Sequence, residues 1–85
     1  MNIPDIFKNL YFFFDKTILE KTKNELERYV LGHGGKVLNN VNKKVTHYCT
    51  MKAINEVIIP SDVNFKGSII NPSYIINCHN QNCIL

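Results

Sequence analysis

In Gly32-His33-Gly34-Gly35-Lys36-Val37 two backbone patterns meet. An amphipathic segment stops there, the backbone reverses, and a short apolar strand begins. Glycines in series tolerate positive φ, so a helix can end in a left-handed residue and turn sharply. Downstream, Lys36-Val37-Leu38 reads as a strand, Asn39 to Lys44 as a polar loop, and Val45 to Cys49 as a second strand. Upstream, Leu19, Thr22, Leu26, Tyr29, Val30 and His33 recur at helical spacing, with Lys21, Lys23, Glu25, Glu27 and Arg28 opposite them. The pattern predicts a helix over 18–31 with a solvated charged face, and Thr17 and Glu20 fit a capping box at its start.

Working outward, Leu10 to Phe14 is apolar on both alternating faces, as in a central strand of a parallel sheet covered on each side. After Cys49, Thr50 is placed to cap a short helix over Met51 to Val57, with Ala53, Ile54 and Val57 apolar and Pro60 as its terminator. Phe65-Lys66-Gly67 leads into a last strand, Ser68-Ile69-Ile70. Asn71-Pro72 then starts a helix, with Asn as N-cap and Pro at the first helical position. Tyr74, Ile75 and Cys78 share one face of it, and the apolar tail Cys83-Ile84-Leu85 is expected to pack back. The order is β-α-β-β-α-β-α. It predicts an α/β fold, a small four-stranded parallel sheet flanked by helices on both faces.

Eighty-five residues suit one domain, 1–85, with 1–5 as a loose lead-in. A net charge of +3 permits contact with nucleic acid without arguing for it. Three cysteines, an odd number, exclude a complete disulfide framework and suit reduced intracellular thiols. No apolar run approaches the roughly eighteen residues of a membrane span, so no membrane partner is expected. The aromatic run Tyr11 to Phe14 has no small-residue cleavage pattern behind it and is not a signal peptide.

The sequence resembles the BRCT domain family of DNA-damage-response and replication proteins. The resemblance is carried by Ile6-Phe7-Lys8-Asn9-Leu10 before the aromatic strand, by Gly34-Gly35-Lys36-Val37 and by Val45-Thr46-His47. A fourth match, Lys66 to Cys78, is similar to the family's apolar strand followed by x-Pro-x-Trp-Ile-x-x-Cys, here with Tyr74 in place of Trp. It implies a structural signature at Gly34, Gly35, Thr46, His47, Gly67, Pro72, Tyr74 and Cys78. It also implies a non-catalytic, nuclear module that docks a partner protein, among them another BRCT domain. Such modules accompany ADP-ribosyltransferases, DNA ligases and polymerases, so a targeting role at the head of a larger enzyme is an alternative.

Members that bind phosphopeptides carry Ser-Gly or Thr-Gly after the first strand and a Lys at the start of the second helix. Here Phe14-Asp15-Lys16-Thr17 lacks that dipeptide and offers a repelling carboxylate, although Lys52 lies near the lysine position. No preference for phosphate is expected. Lys36, Lys43, Lys44 and Lys52 are candidate contacts for DNA or a partner, the first three weak and salt-sensitive if they bind phosphates. His47 with Cys49, or Cys78-His79 with Cys83, offers no paired knuckle for zinc, and no metal or cofactor is expected. No Gly-rich phosphate loop opens a helix, and no Cys-His pair has an orienting third group, so no catalytic residue is assigned.

Overall fold

The computed structural model describes residues 4–59 and 63–85; the expected terminator at Pro60 and the first residues of the lead-in lie outside them. Four parallel strands form one sheet: β1 (Tyr11–Phe14), β2 (Lys36–Val37), β3 (His47–Cys49) and β4 (Ser68–Ile70), in the order β2-β1-β3-β4. Phe12 pairs with Val37 and His47, and Cys49 pairs with Phe14 and Ile70. The parallel sheet read from Leu10 to Phe14 is therefore the one observed.

Side-chain alternation splits this sheet into two faces. Phe12, Phe14, Cys49 and Ile70 point one way, under α1 (Glu20–Gly32) and α2 (Pro72–Gln81). Leu26 and Val30 from α1 and Ile75 and Cys78 from α2 complete that core, with Phe7 beneath them. Phe7 meets Phe12 edge to face at 5.1 Å. Burying rings of this size is the largest source of stability in a domain of 85 residues. Across the helix pair, Tyr29 stacks on His79 at 4.1 Å.

The other face carries Phe13, Tyr48 and Ile69, and no α-helix among the described residues covers it. The helix expected over Met51 to Val57 is a single 3₁₀ turn, Ile54–Glu56, which buries none of its residues. The reason is local. Ile54, Val57, Ile58 and Ile59 are β-branched, Pro60 disfavours helix at the residue before it, and seven residues cannot offset nucleation. Phe65 meets Tyr48 edge to face at 6.0 Å and gives this face part of its cover.

The helix exit works as the glycines suggested, with a separate task for each. Gly34 sits at φ +84°, the left-handed region. Gly35 has an ordinary φ, but a Cβ there would lie 2.8 Å from Val30 Cγ1 and 2.9 Å from Phe7 Cβ. Its amide donates to Val30 O at 2.8 Å, and Phe7 N donates to His33 O at 2.9 Å, so the turn ties the lead-in to the helix. His33 is buried; its Nδ1 lies 2.6 Å from the Pro4 carbonyl and its Nε2 3.0 Å from His79 Nδ1.

The start of α1 differs from the capping box. Leu19 is the N-cap, with no side-chain hydrogen bond, and its own side chain is 76% exposed instead of facing the core. At α2 the expected cap is present: Asn71 accepts from the Ser73 amide at 2.9 Å, and Pro72 opens the helix. The tail does not pack its side chains back, since Ile84 and Leu85 are exposed, but the Leu85 carbonyl accepts from the Tyr74 hydroxyl at 3.2 Å.

Candidate protein-interaction site

The loop leaving β1 carries a buried carboxylate, Asp15. A charge taken out of water must be matched by donors, and three atoms supply them. Asp15 Oδ1 accepts from the Thr17 amide at 2.9 Å and from the Thr17 hydroxyl, and Oδ2 accepts from the Tyr48 hydroxyl at 3.4 Å. This Asx turn takes Thr17 away from the capping role read in the sequence. Thr17 Oγ1 also accepts from the Met51 amide at 2.9 Å and lies 3.3 Å from the Thr50 hydroxyl, which accepts from the Lys52 amide at 3.1 Å. Thr50 therefore closes this cluster instead of capping a helix.

Burial pushes the Asp15 pKa up, but hydrogen bonds from the Thr17 hydroxyl, Thr50, the Thr17 amide and Tyr48 outweigh it and hold the carboxyl below its ordinary value. The same burial, with the nearby Asp15 charge, raises the Tyr48 phenol. Asp15 is thus an ionised carboxylate satisfied from within the chain.

Above this floor lies an open cleft of about 920 Å³, lined by Phe13, Asp15, Lys16, Tyr48, Lys52 and Ile58 among others. Lys16 and Lys52 are exposed on its rim. Ile58, in its lining, is 88% exposed, and Met51 and Ile54 are exposed on the same segment after β3. The cleft therefore joins a closed polar floor to the thinly covered face of the sheet.

The remaining residues singled out in the sequence lie elsewhere. Thr46 and His47 tie β3 to β1: Thr46 Oγ1 accepts from the Tyr11 amide at 2.8 Å and donates to the Tyr11 carbonyl at 3.0 Å. With its one proton so used, it accepts from His47 Nδ1 at 2.8 Å. The His47 ring stacks between Phe12 and Tyr74, at 4.8 and 5.8 Å, and burial lowers its pKa. Tyr74 is half-buried; Ile75, Cys78 and Pro72 are the buried residues of α2. Gly67 lies so close to β3 that a Cβ would run into the Thr46 carbonyl oxygen. Lys36, Lys43 and Lys44 are exposed at the opposite end of the sheet from Lys52.

Cys49 is fully buried and its thiol is pushed up to about 12 by burial and then by Asp15, so the thiolate that binds metals or attacks electrophiles does not form near neutral pH. Among the described residues no three His, Cys, Asp or Glu side chains converge. The donors to Asp15 escaped the sequence reading. Asp15-Lys16-Thr17 is a local Asx-turn signal, whereas Tyr48 and Thr50 reach the carboxylate only through the fold.

A four-stranded parallel sheet with two α-helices on one face defines a small α/β domain. A BRCT domain family model matches residues 5–85, and the chain belongs to that family. BRCT domains are protein-interaction modules and generally do no catalysis. The chain is similar to the second XRCC1 BRCT domain, at 22% identity and a TM-score of 0.81, covering 98% of this chain and 85% of that one. The BRCT domain of human DNA repair protein REV1 matches at 19% identity and a TM-score of 0.74, covering 100% and 84%. The Rad4 BRCT1,2 pair, solved in complex with a Crb2 phosphopeptide, matches at 20% identity and a TM-score of 0.72, covering 98% of this chain and 45% of that one. No curated protein matches the chain.

Proposed function

We propose that this domain docks an unphosphorylated partner protein, itself doing no chemistry, within a nuclear DNA repair or replication protein. The observation that carries the reading is the state of the cleft floor. The Thr17 amide and hydroxyl and the Tyr48 hydroxyl are already bonded to Asp15. A phosphate carries about −1.5 to −2 charges and needs free donors, so it meets a carboxylate in their place. Exposed Ile58 in the cleft lining suits the apolar anchor of a protein partner, a second BRCT domain included. Lys16 and Lys52 on the rim favour an acidic partner surface at longer range, without specifying phosphate.

Two matched degenerate peptide libraries, one fixed on phosphoserine and one on serine, test this against the immobilised domain. Equal retention of both is expected. A tenfold gain from the phosphate, abolished by Lys52→Met, would overturn the reading.

A further inference from the structure

The mild total charge conceals an asymmetry that appears only once the strands are laid side by side. In a parallel sheet every strand starts at the same edge. The segments leading into these four strands bring Lys8 ahead of β1, Lys36 at the first residue of β2, Lys43 and Lys44 ahead of β3, and Lys66 ahead of β4. The pairing register places them together: Lys36 N donates to the Leu10 carbonyl, Thr46 N to the Tyr11 carbonyl, and Ser68 N to the Thr46 carbonyl. All five lysines are exposed. They are half of the ten basic residues, whereas two of the seven acidic residues, Asp5 and Asp62, fall in those segments. The lead-in segments therefore sum to +3, while the rest of the chain sums to zero.

We infer that this amino-terminal edge of the sheet binds the phosphodiester backbone of duplex DNA, independently of sequence and separately from the protein-docking cleft. The row is about 14 Å long, from three inter-strand spacings of about 4.8 Å, so it lies along several successive phosphates. None of the described cavities is lined by any of the five lysines. The ring of Phe7 is buried and that of Tyr11 is partly covered, which leaves no open platform for stacking unpaired bases. Lysines supply flexible point charges suited to phosphates and carry no base-reading geometry.

The test is fluorescence anisotropy of a labelled 20-base-pair duplex with the 85-residue chain over a range of salt. About four phosphate contacts give a slope of log K against log salt near −3.6, so affinity falls roughly 150-fold between 50 and 200 mM. Lys43→Gln with Lys44→Gln raises the slope by about 1.8 and weakens binding at 50 mM by about tenfold or more. Lys21→Gln with Arg28→Gln removes the same charge from the exposed side of α1 and leaves the slope within error. Thermal melts of both double variants establish that each is folded. Equal loss from the two pairs, a flat salt dependence, or tighter binding to a single strand would overturn the proposal. So would displacement of the duplex by a polyglutamate peptide at matched charge, which would assign the edge to an acidic protein.

Discussion

Gly35→Ala adds one methyl group, and the structure says where it goes. The new carbon would meet Val30 Cγ1 at 2.8 Å, Phe7 Cβ at 2.9 Å and the Val30 carbonyl oxygen at 3.1 Å. None of these can yield cheaply. Val30 is β-branched and fully buried, Phe7 Cβ sits next to its own backbone, and the Val30 carbonyl already accepts from the Gly35 amide. Overpacking of this kind costs about 1–3 kcal/mol. A domain of this size has on the order of 4–13 kcal/mol in total, so the loss is a sizeable fraction and lowers Tm by roughly 5–20 °C. Gly32→Ala is the matched control: it lies at the end of α1, and nothing is within 4 Å of its added carbon. That variant should gain about 0.5–1 kcal/mol from reduced freedom of the unfolded chain. Urea unfolding followed by circular dichroism measures both. A Gly35→Ala variant as stable as wild type, or a Gly32→Ala variant equally damaged, would refute the packing argument at the helix exit.

Other consequences follow from named contacts. Gly34→Val, at φ +84°, should cost about 1–3 kcal/mol through backbone strain, read in the same unfolding assay. Because the Asp15 pKa is depressed on folding, its contribution is fully present above the unfolded carboxylate value and drains away as pH falls through the lower folded one. Thermal stability should therefore drop as pH is lowered below about 4, and Asp15→Asn should flatten that decline; a variant with an unchanged acid limb would contradict it. Tyr74→Ala should cost about 2 kcal/mol, below the range for fully buried rings, because Tyr74 is only half-buried against His47. Thiol labelling of the native chain at neutral pH should modify exposed Cys83 alone, with Cys49 and Cys78 reacting only after unfolding.

The parallel sheet was legible because Leu10 to Phe14 is apolar on both faces, and the helix exit because Gly34 and Gly35 follow the last helical turn. Both signals are local. The middle helix was misread because Met51 to Val57 has suitable polarity but a β-branched run behind it and too few residues before Pro60. Thr17 was misassigned for a related reason: the capping-box pattern and the Asx turn compete for one hydroxyl, and a buried Asp15 takes it. Nothing near Asp15 in sequence announces Tyr48 or Thr50, which arrive 33 and more residues later through the pairing of β3 with β1. The lysine edge was half legible. Lys36, Lys43 and Lys44 stood out as neighbours in sequence, while Lys8 and Lys66 join them only through strand order.

Amide NMR reads out whether Asp15 closes the cleft floor to phosphate. A uniformly ¹⁵N-labelled sample titrated with O-phosphoserine reports on the amides of Thr17, Met51 and Lys52, which face the cluster. No saturable shift is expected at any of the three up to about 10 mM ligand, where even a millimolar affinity, about −4 kcal/mol, would register. Saturable movement of these amides in the wild-type chain would contradict it.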